Sequence, residues 1–219
     1  MNLYNAMLDS TKNLYEEIYK HPFVQGIGNC SIPKEKFIYY MIQDYSYLID
    51  YLKVFSISAA KAPHRNEMQF ILNLVSNAIN DEMDMHLDYL HKLGVNDNEV
   101  LTAKQSLTNI SYTSFMLKTA YESDFASILA AILPCESTYY MIGKRLLKDY
   151  PDSANHPLYG EWITTYSNPA MESTLMQITT ILNQLTKNYA EDNLQKLIEI
   201  FEISTRYEKE FWEMSWNLT

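Results

Sequence analysis

Apolar positions along this chain recur at spacings of three and four, and no stretch alternates with period two for more than a few residues. Leu3 to Lys20 reads as an amphipathic helix, with Leu3, Met7, Leu14 and Ile18 near one stripe. His21-Pro22 ends it, because the residue before a proline is pushed out of the α region. His21 to Gly28 then reads as a compact apolar turn. A helix restarts near Pro33 and runs to Lys61, and Pro63 separates it from the next, Arg65 to Leu93, which Gly94 terminates. Asn96 to Asn109 is polar and loop-like in part. Helices follow over Ser111 to Ser123 and Asp124 to Lys148. A linker through Pro157, a short helix over Leu158 to Tyr166, and helices over Pro169 to Tyr189 and Asp192 to Asn217 complete the chain. The pattern predicts a single all-α domain, residues 1–219, of about eight helices.

Several polar residues interrupt the apolar stripes. Asp44 lies between Tyr40, Tyr47 and Tyr51 on the face that also carries Phe37, Met41, Leu48 and Phe55. A lone carboxylate on a buried face is costly unless hydrogen-bonded or paired. It reads equally as a structural Asp satisfied by tyrosines and as a ligand-binding or acid–base group. Glu208 interrupts the stripe Leu197, Phe201, Ser204, Phe211 and Ser215 in the same way. Cys135 follows Pro134 in the Asp124–Lys148 segment, where the helix is expected to kink or restart. A restart would give Cys135 first-turn N–H groups that favour a thiolate, with Tyr139 on the same face. A nucleophile and a small buried hydrophobe, the usual fate of a free cysteine, both fit. Glu82 and His86, four apart, read as a hydrogen-bonded pair on a partly buried face. A di-metal site would repeat such ligation on other helices.

Composition narrows the class. Eighteen tyrosines against eight phenylalanines suggest a polar-edged cavity, since a buried phenol needs a partner. A net charge of −10 disfavours nucleic acid and anionic membrane as partners. Two cysteines make no disulfide framework. Met1 to Asn5 has no basic region leading into an apolar run, and no apolar stretch reads as a membrane span. A cytoplasmic protein is the expectation.

Six motifs in order carry a resemblance along essentially the whole chain: His21-Pro22-Phe23-Val24-Gln25-Gly26-Ile27-Gly28, Gln43-Asp44-Tyr45-Ser46-Tyr47-Leu48, Ser111-Tyr112-Thr113-Ser114, Leu133-Pro134-Cys135 with Tyr139-Tyr140, Trp162-Ile163-Thr164-Thr165-Tyr166, and Tyr207-Glu208-Lys209-Glu210-Phe211-Trp212. With them the chain resembles the TenA/thiaminase II family, in its cysteine-dependent class. The resemblance implies a helical bundle of the haem-oxygenase-like type, assembled as a homotetramer. It implies hydrolysis of thiamin, or of 4-amino-5-aminomethyl-2-methylpyrimidine in thiamin salvage, to 4-amino-5-hydroxymethyl-2-methylpyrimidine. It makes Cys135 the nucleophile and Glu208 and Asp44 the pyrimidine-handling carboxylates. Tyr47, Tyr112, Tyr139 and Tyr166 line the pocket, and Phe23 belongs to its apolar wall. One departure is Glu136, where the resemblance implies an uncharged residue. Adjacent helical positions do not share a face, so Glu136 is expected to point away from the thiol.

Such covalent catalysis needs neither metal nor organic cofactor. Two rival readings are a non-catalytic pyrimidine-binding or regulatory protein on the same fold, and a metal-dependent or cofactorless oxidase. The oxidase needs several inward histidines, and only His86 qualifies.

Overall fold

The computed structural model describes residues 2–219, with residue 81 described by its backbone alone; Met1, where the N-terminal reading begins, lies outside the described residues. The α-helices are α1 (Leu3–Lys20), α2 (Pro22–Gly28), α3 (Lys34–Lys61), α4 (Arg65–Asn77), α5 (Met83–Lys92), α6 (Asp97–Thr102), α7 (Leu107–Glu122), α8 (Phe125–Asp149), α9 (Gly160–Tyr166), α10 (Pro169–Leu185) and α11 (Glu191–Asn217). A π-helical turn, Ala78–Glu82, joins α4 to α5, and a 3₁₀ turn, Pro151–Asn155, precedes α9. No strand occurs among the described residues, and the protein is all-α as its periodicity predicts.

Local chemistry explains the finer divisions. The segment read as a turn after His21 is the buried helix α2. Pro22 fits its first turn, and His21 Nδ1 accepts the Phe23 N–H at 3.2 Å. The polar stretch from Asn96 holds the short α6, started by a reciprocal capping box between Asn96 and Glu99. Ser106 caps α7 by accepting the Asn109 N–H, so α7 begins at Leu107, before Ser111. The segment from Arg65 is interrupted where Met83 N–H reaches back five residues to the Ala78 carbonyl.

Helix α8 is the centre of the bundle and packs against α7, α9, α10 and α11. The restart expected at Pro134 does not occur, and α8 runs unbroken through it. Ile128 to Leu133 are all fully buried, and their packing keeps the segment helical despite the lost hydrogen bond. Cys135 therefore sits in mid-helix with no first-turn N–H groups. By length and composition α8 could cross a membrane, but 72% of its apolar window is buried inside the protein, as in a core helix. Around α8, helix α11 packs on α1, α3 and α7, and α3 packs on α4, α5 and α7.

Gly143 lets α9 approach α8 closely. A Cβ there would lie 2.5 Å from the Tyr166 carbonyl carbon and 2.7 Å from Ser167 N. Backbone cannot give way as a flexible side chain does. Gly143→Ala is therefore expected to lower unfolding free energy by about 1–3 kcal/mol. Urea denaturation checks this; an unchanged midpoint contradicts the close approach.

Candidate active site

Four long helices aim polar groups at one point. Asp44 and Tyr47 from α3, Tyr112 from α7, Cys135 and Tyr139 from α8, and Glu208 and Phe211 from α11 line one narrow inner pocket. The tyrosines pack as aromatic walls. Tyr47 lies 5.4 Å from Tyr112 and 5.8 Å from Phe211, ring centre to ring centre, and Tyr139 lies 4.8 Å from Tyr166.

Asp44 is buried but not alone. Its Oδ2 accepts from the Tyr40 hydroxyl at 3.1 Å and lies 2.8 Å from His86 Nε2. His86 Nδ1 lies 2.8 Å from the Glu82 carbonyl oxygen, which can only accept, so Nδ1 carries a proton. A proton must then also lie between Nε2 and Oδ2, and the two groups form a proton-sharing pair across α5 and α3. Burial lowers the His86 pKa, but Asp44 and Glu82 outweigh it and hold the imidazole above its ordinary value. Oδ1 of Asp44 has no hydrogen bond among the described residues. Sequence spacing suggested a Glu82–His86 side-chain pair; instead His86 turns across to Asp44, whose charge compensates it better than a second donor–acceptor contact on its own helix. Removing the imidazole strands a buried carboxylate. His86→Leu is expected to cost about 3–5 kcal/mol of stability, read from chemical denaturation, and a loss below 1 kcal/mol would contradict the pairing.

Glu208 lies on the opposite side. The Tyr112 hydroxyl donates to its Oε1 at 2.6 Å, and Tyr207 stacks on Tyr112 at 5.1 Å. Burial, with Asp44 and Glu136 adding negative charge, pushes the Glu208 carboxyl up to about 8 even against the Tyr112 hydrogen bond. It thus holds its proton at neutral pH. Burial, Glu208 and Glu136 together push the Cys135 thiol well above its ordinary range. The site therefore favours a thiol over a thiolate.

A second chamber, of about 390 Å³, shares Asp44, Tyr47, Cys135 and Tyr139 with the first and adds Leu48, Tyr51, Glu82, Glu136, Tyr166 and Met171. A mouth region of about 870 Å³ continues outward past Tyr166, Met171, Asn77 and Asn168. Tyr166 therefore lines the approach rather than the inner cavity. Phe23 lies behind the wall, 5.4 Å from Tyr40 and from Trp212, and supports it without lining the cavity. Glu136 does not point away from the thiol's surroundings, because the outer chamber wraps around α8 far enough to include both neighbours. Phe211, Tyr51 and Tyr40 belong to the site as well. Each was visible as an aromatic one helical turn from Glu208, Tyr47 or Asp44.

Residues 8–218 match the profile of the TENA/THI-4/PQQC family. A curated relative, the aminopyrimidine aminohydrolase of Halalkalibacterium halodurans, is 36% identical over 217 residues, covering 99% of this chain and 96% of its own. Among solved structures, a TenA family transcription regulator from Silicibacter sp. TM1040 superposes with a TM-score of 0.90 at 26% identity, covering 98% of this chain and 96% of its own. A domain of unknown function with a heme oxygenase-like fold from Shewanella denitrificans superposes at 0.80 with 12% identity, covering 98% and 92%, and extends the likeness to that fold. With the family profile spanning nearly every residue and a relative matching along its full length, the chain belongs to the TENA/THI-4/PQQC family.

Proposed function

We propose that this chain, a hydrolase of its family acting as one domain, cleaves the bond between the C5 methylene of a 4-aminopyrimidine and its substituent. The products are 4-amino-5-hydroxymethyl-2-methylpyrimidine and, from the aminomethyl compound, ammonia. The same site would release the thiazole from thiamin. The observation that carries this reading is a cysteine facing a pocket between two buried carboxylates, one of them, Glu208, pushed up to about 8 by burial. The name of the Halalkalibacterium relative supports the substrate class.

The ring would sit among Tyr47, Tyr112, Tyr139 and Phe211. Asp44, fixed by Tyr40 and His86, has a free lone-pair edge at Oδ1 for the 4-amino group. A neutral aminopyrimidine is a reluctant electrophile. The Glu208 proton, passed to ring nitrogen N1, makes C6 accept the Cys135 sulfur, a general-acid role. The carboxylate so formed takes the thiol proton, which accounts for a nucleophile that rests as a thiol. Ring electrons then expel the substituent with its bonding pair, ammonia from an ammonium or neutral thiazole from a thiazolium. Water adds to the exocyclic methylene and gives up one proton to the departed base or solvent, and sulfur departs with the C–S electrons and takes the proton that N1 releases, so that Cys135 is again a thiol.

The rival reading, a protein that holds a pyrimidine without turning it over, leaves the placement of the thiol between Asp44 and Glu208 without a purpose. For the assembly we favour a cytoplasmic homotetramer. Leu107 is 84% and Tyr121 70% exposed on α7, and such apolar side chains suit contacts between copies. Mass-resolved analysis tests the activity, with thiamin and the aminomethylpyrimidine offered separately. Hydroxymethylpyrimidine from either is the expected product, with the aminomethyl compound cleaved faster. Recovery of both unchanged, with binding intact, would overturn the proposal in favour of the binding protein.

A further inference from the structure

The ring site proposed above uses Glu208 and Asp44 of the inner pocket, but not Glu136 or Glu82. Both line the chamber just outside Cys135, from α8 and from the π-helical turn. Neither side chain has a hydrogen bond or ion pair among the described residues. Glu136 and Glu82 are each half-buried, and Glu82 is the charge that Glu136 meets. Among the described residues, no lysine, arginine or histidine lines this chamber or the mouth beyond it. The other polar side chains on the outward path, among them Asn77 and Asn168, are neutral. Two half-buried carboxylates that face one chamber without a partner are unfavourable by themselves. The pair becomes favourable once something positive lies between them.

We infer that Glu136 and Glu82 form a subsite for a cationic leaving group, and so set this enzyme's specificity toward aminopyrimidines whose C5 methylene carries an ammonium or another positively charged nitrogen. The inference rests on the proposed hydrolysis and names which substrates it prefers. The geometry is that of a ring clamped on the inner side of Cys135 and its substituent projecting to the outer side, where the two glutamates meet it. Charge also serves the chemistry. A substituent held as an ammonium leaves as neutral ammonia, taking only the C–N bonding pair and needing no separate proton donor. Burial and Glu82 push the Glu136 carboxyl up to about 8. A cation entering the chamber relieves that strain by supplying the opposite charge the two carboxylates lack. Other groups close to Glu136 are Cys135, Glu208 and Tyr51, none of them cationic.

The test separates charge from shape. In the Cys135→Ser background, which prevents turnover, calorimetry would measure Kd for thiamin, a permanent cation, and for the neutral hydroxymethylpyrimidine with the same ring. Glu136→Gln keeps the volume and removes the charge. It is expected to weaken thiamin binding about tenfold, the size of one charge-assisted contact, and to move the neutral ligand by less than about twofold. Glu82→Gln should shift the pair in the same direction and serves if the first variant folds poorly. With Cys135 restored, the same substitution should raise KM for the aminomethyl compound more than it lowers kcat. Equal weakening of both ligands, or no weakening of thiamin, would overturn the subsite while leaving the hydrolase reading intact. Failure of the parent protein to bind either ligand would overturn both.

Discussion

Replacing Cys135 with Ser is expected to reduce hydrolysis of the aminomethylpyrimidine by on the order of 10⁴-fold or more, with ligand binding retained. The change removes one polarisable atom from the cavity wall. Serine is close in size to cysteine, and the groups assigned to grip the ring, Asp44 and Glu208, are untouched. A hydroxyl held among carboxylates is a far weaker nucleophile than sulfur, and no other group in the inner cavity can replace it. Cys30 is the other cysteine, and it sits at the surface-side loop after α2, near Pro151 and His156. Steady-state rates and equilibrium binding on one preparation separate the two effects. Activity within tenfold of the parent would remove Cys135 from the chemistry.

Glu208→Gln is the second large effect. The amide keeps the shape and can still accept the Tyr112 hydroxyl, but it has no proton to give to N1. A loss of about 10²–10⁴-fold in kcat/KM is expected, the usual contribution of a general acid. The pH profile carries the sharper sign. Glu208 holds its proton up to about 8, so parent activity should fall as pH rises through that value, and the variant's residual activity should lack this limb. Stability follows the same carboxyl. Its folded pKa lies above the unfolded value near 4.5, so the folded state binds the extra proton between the two values. The stabilisation is fully present below about pH 4.5 and lost as pH rises through about 8. Glu208→Gln should therefore melt close to the parent at pH 5 and above it at pH 9. A variant less stable than the parent at pH 9 would contradict a buried, neutral Glu208.

Much of this arrangement was legible in the chain. Stripes with helical spacing marked α1, α3, α8 and α11, because each buries one continuous face against the core. Asp44, Glu208 and Cys135 stood out as polar or reactive groups on those faces, and the motif resemblance joined them into one site. What remained hidden depended on contacts between distant segments. Spacing offered Glu82 as the partner of His86, but an imidazole on α5 can reach α3, where the Asp44 carboxylate lies 2.8 Å from Nε2. Proline chemistry argues for a kink or a restart at Pro134, and the restart is absent because burial of the whole turn before it outweighs one lost hydrogen bond. Helical geometry sent Glu136 away from the thiol's face, and that rule ignores a cavity wide enough to span two neighbouring positions. Phe23 was assigned to the wall from its motif, and the packing of Tyr40 and Trp212 in front of it sets it one layer back.

Covalent trapping tests the central claim most directly. A 4-aminopyrimidine bearing chlorine at C6 should accept the Cys135 sulfur at that carbon and then lose chloride, leaving a stable thioether in place of a reversible adduct. Peptide mass analysis after inactivation is predicted to find one pyrimidine, minus chlorine, on the peptide containing Cys135. Cys30 should be unlabelled, and labelling should be absent in Cys135→Ser and slowed in Glu208→Gln. An enzyme that hydrolyses the aminomethylpyrimidine yet is never labelled at Cys135 would contradict the addition of this sulfur to the ring.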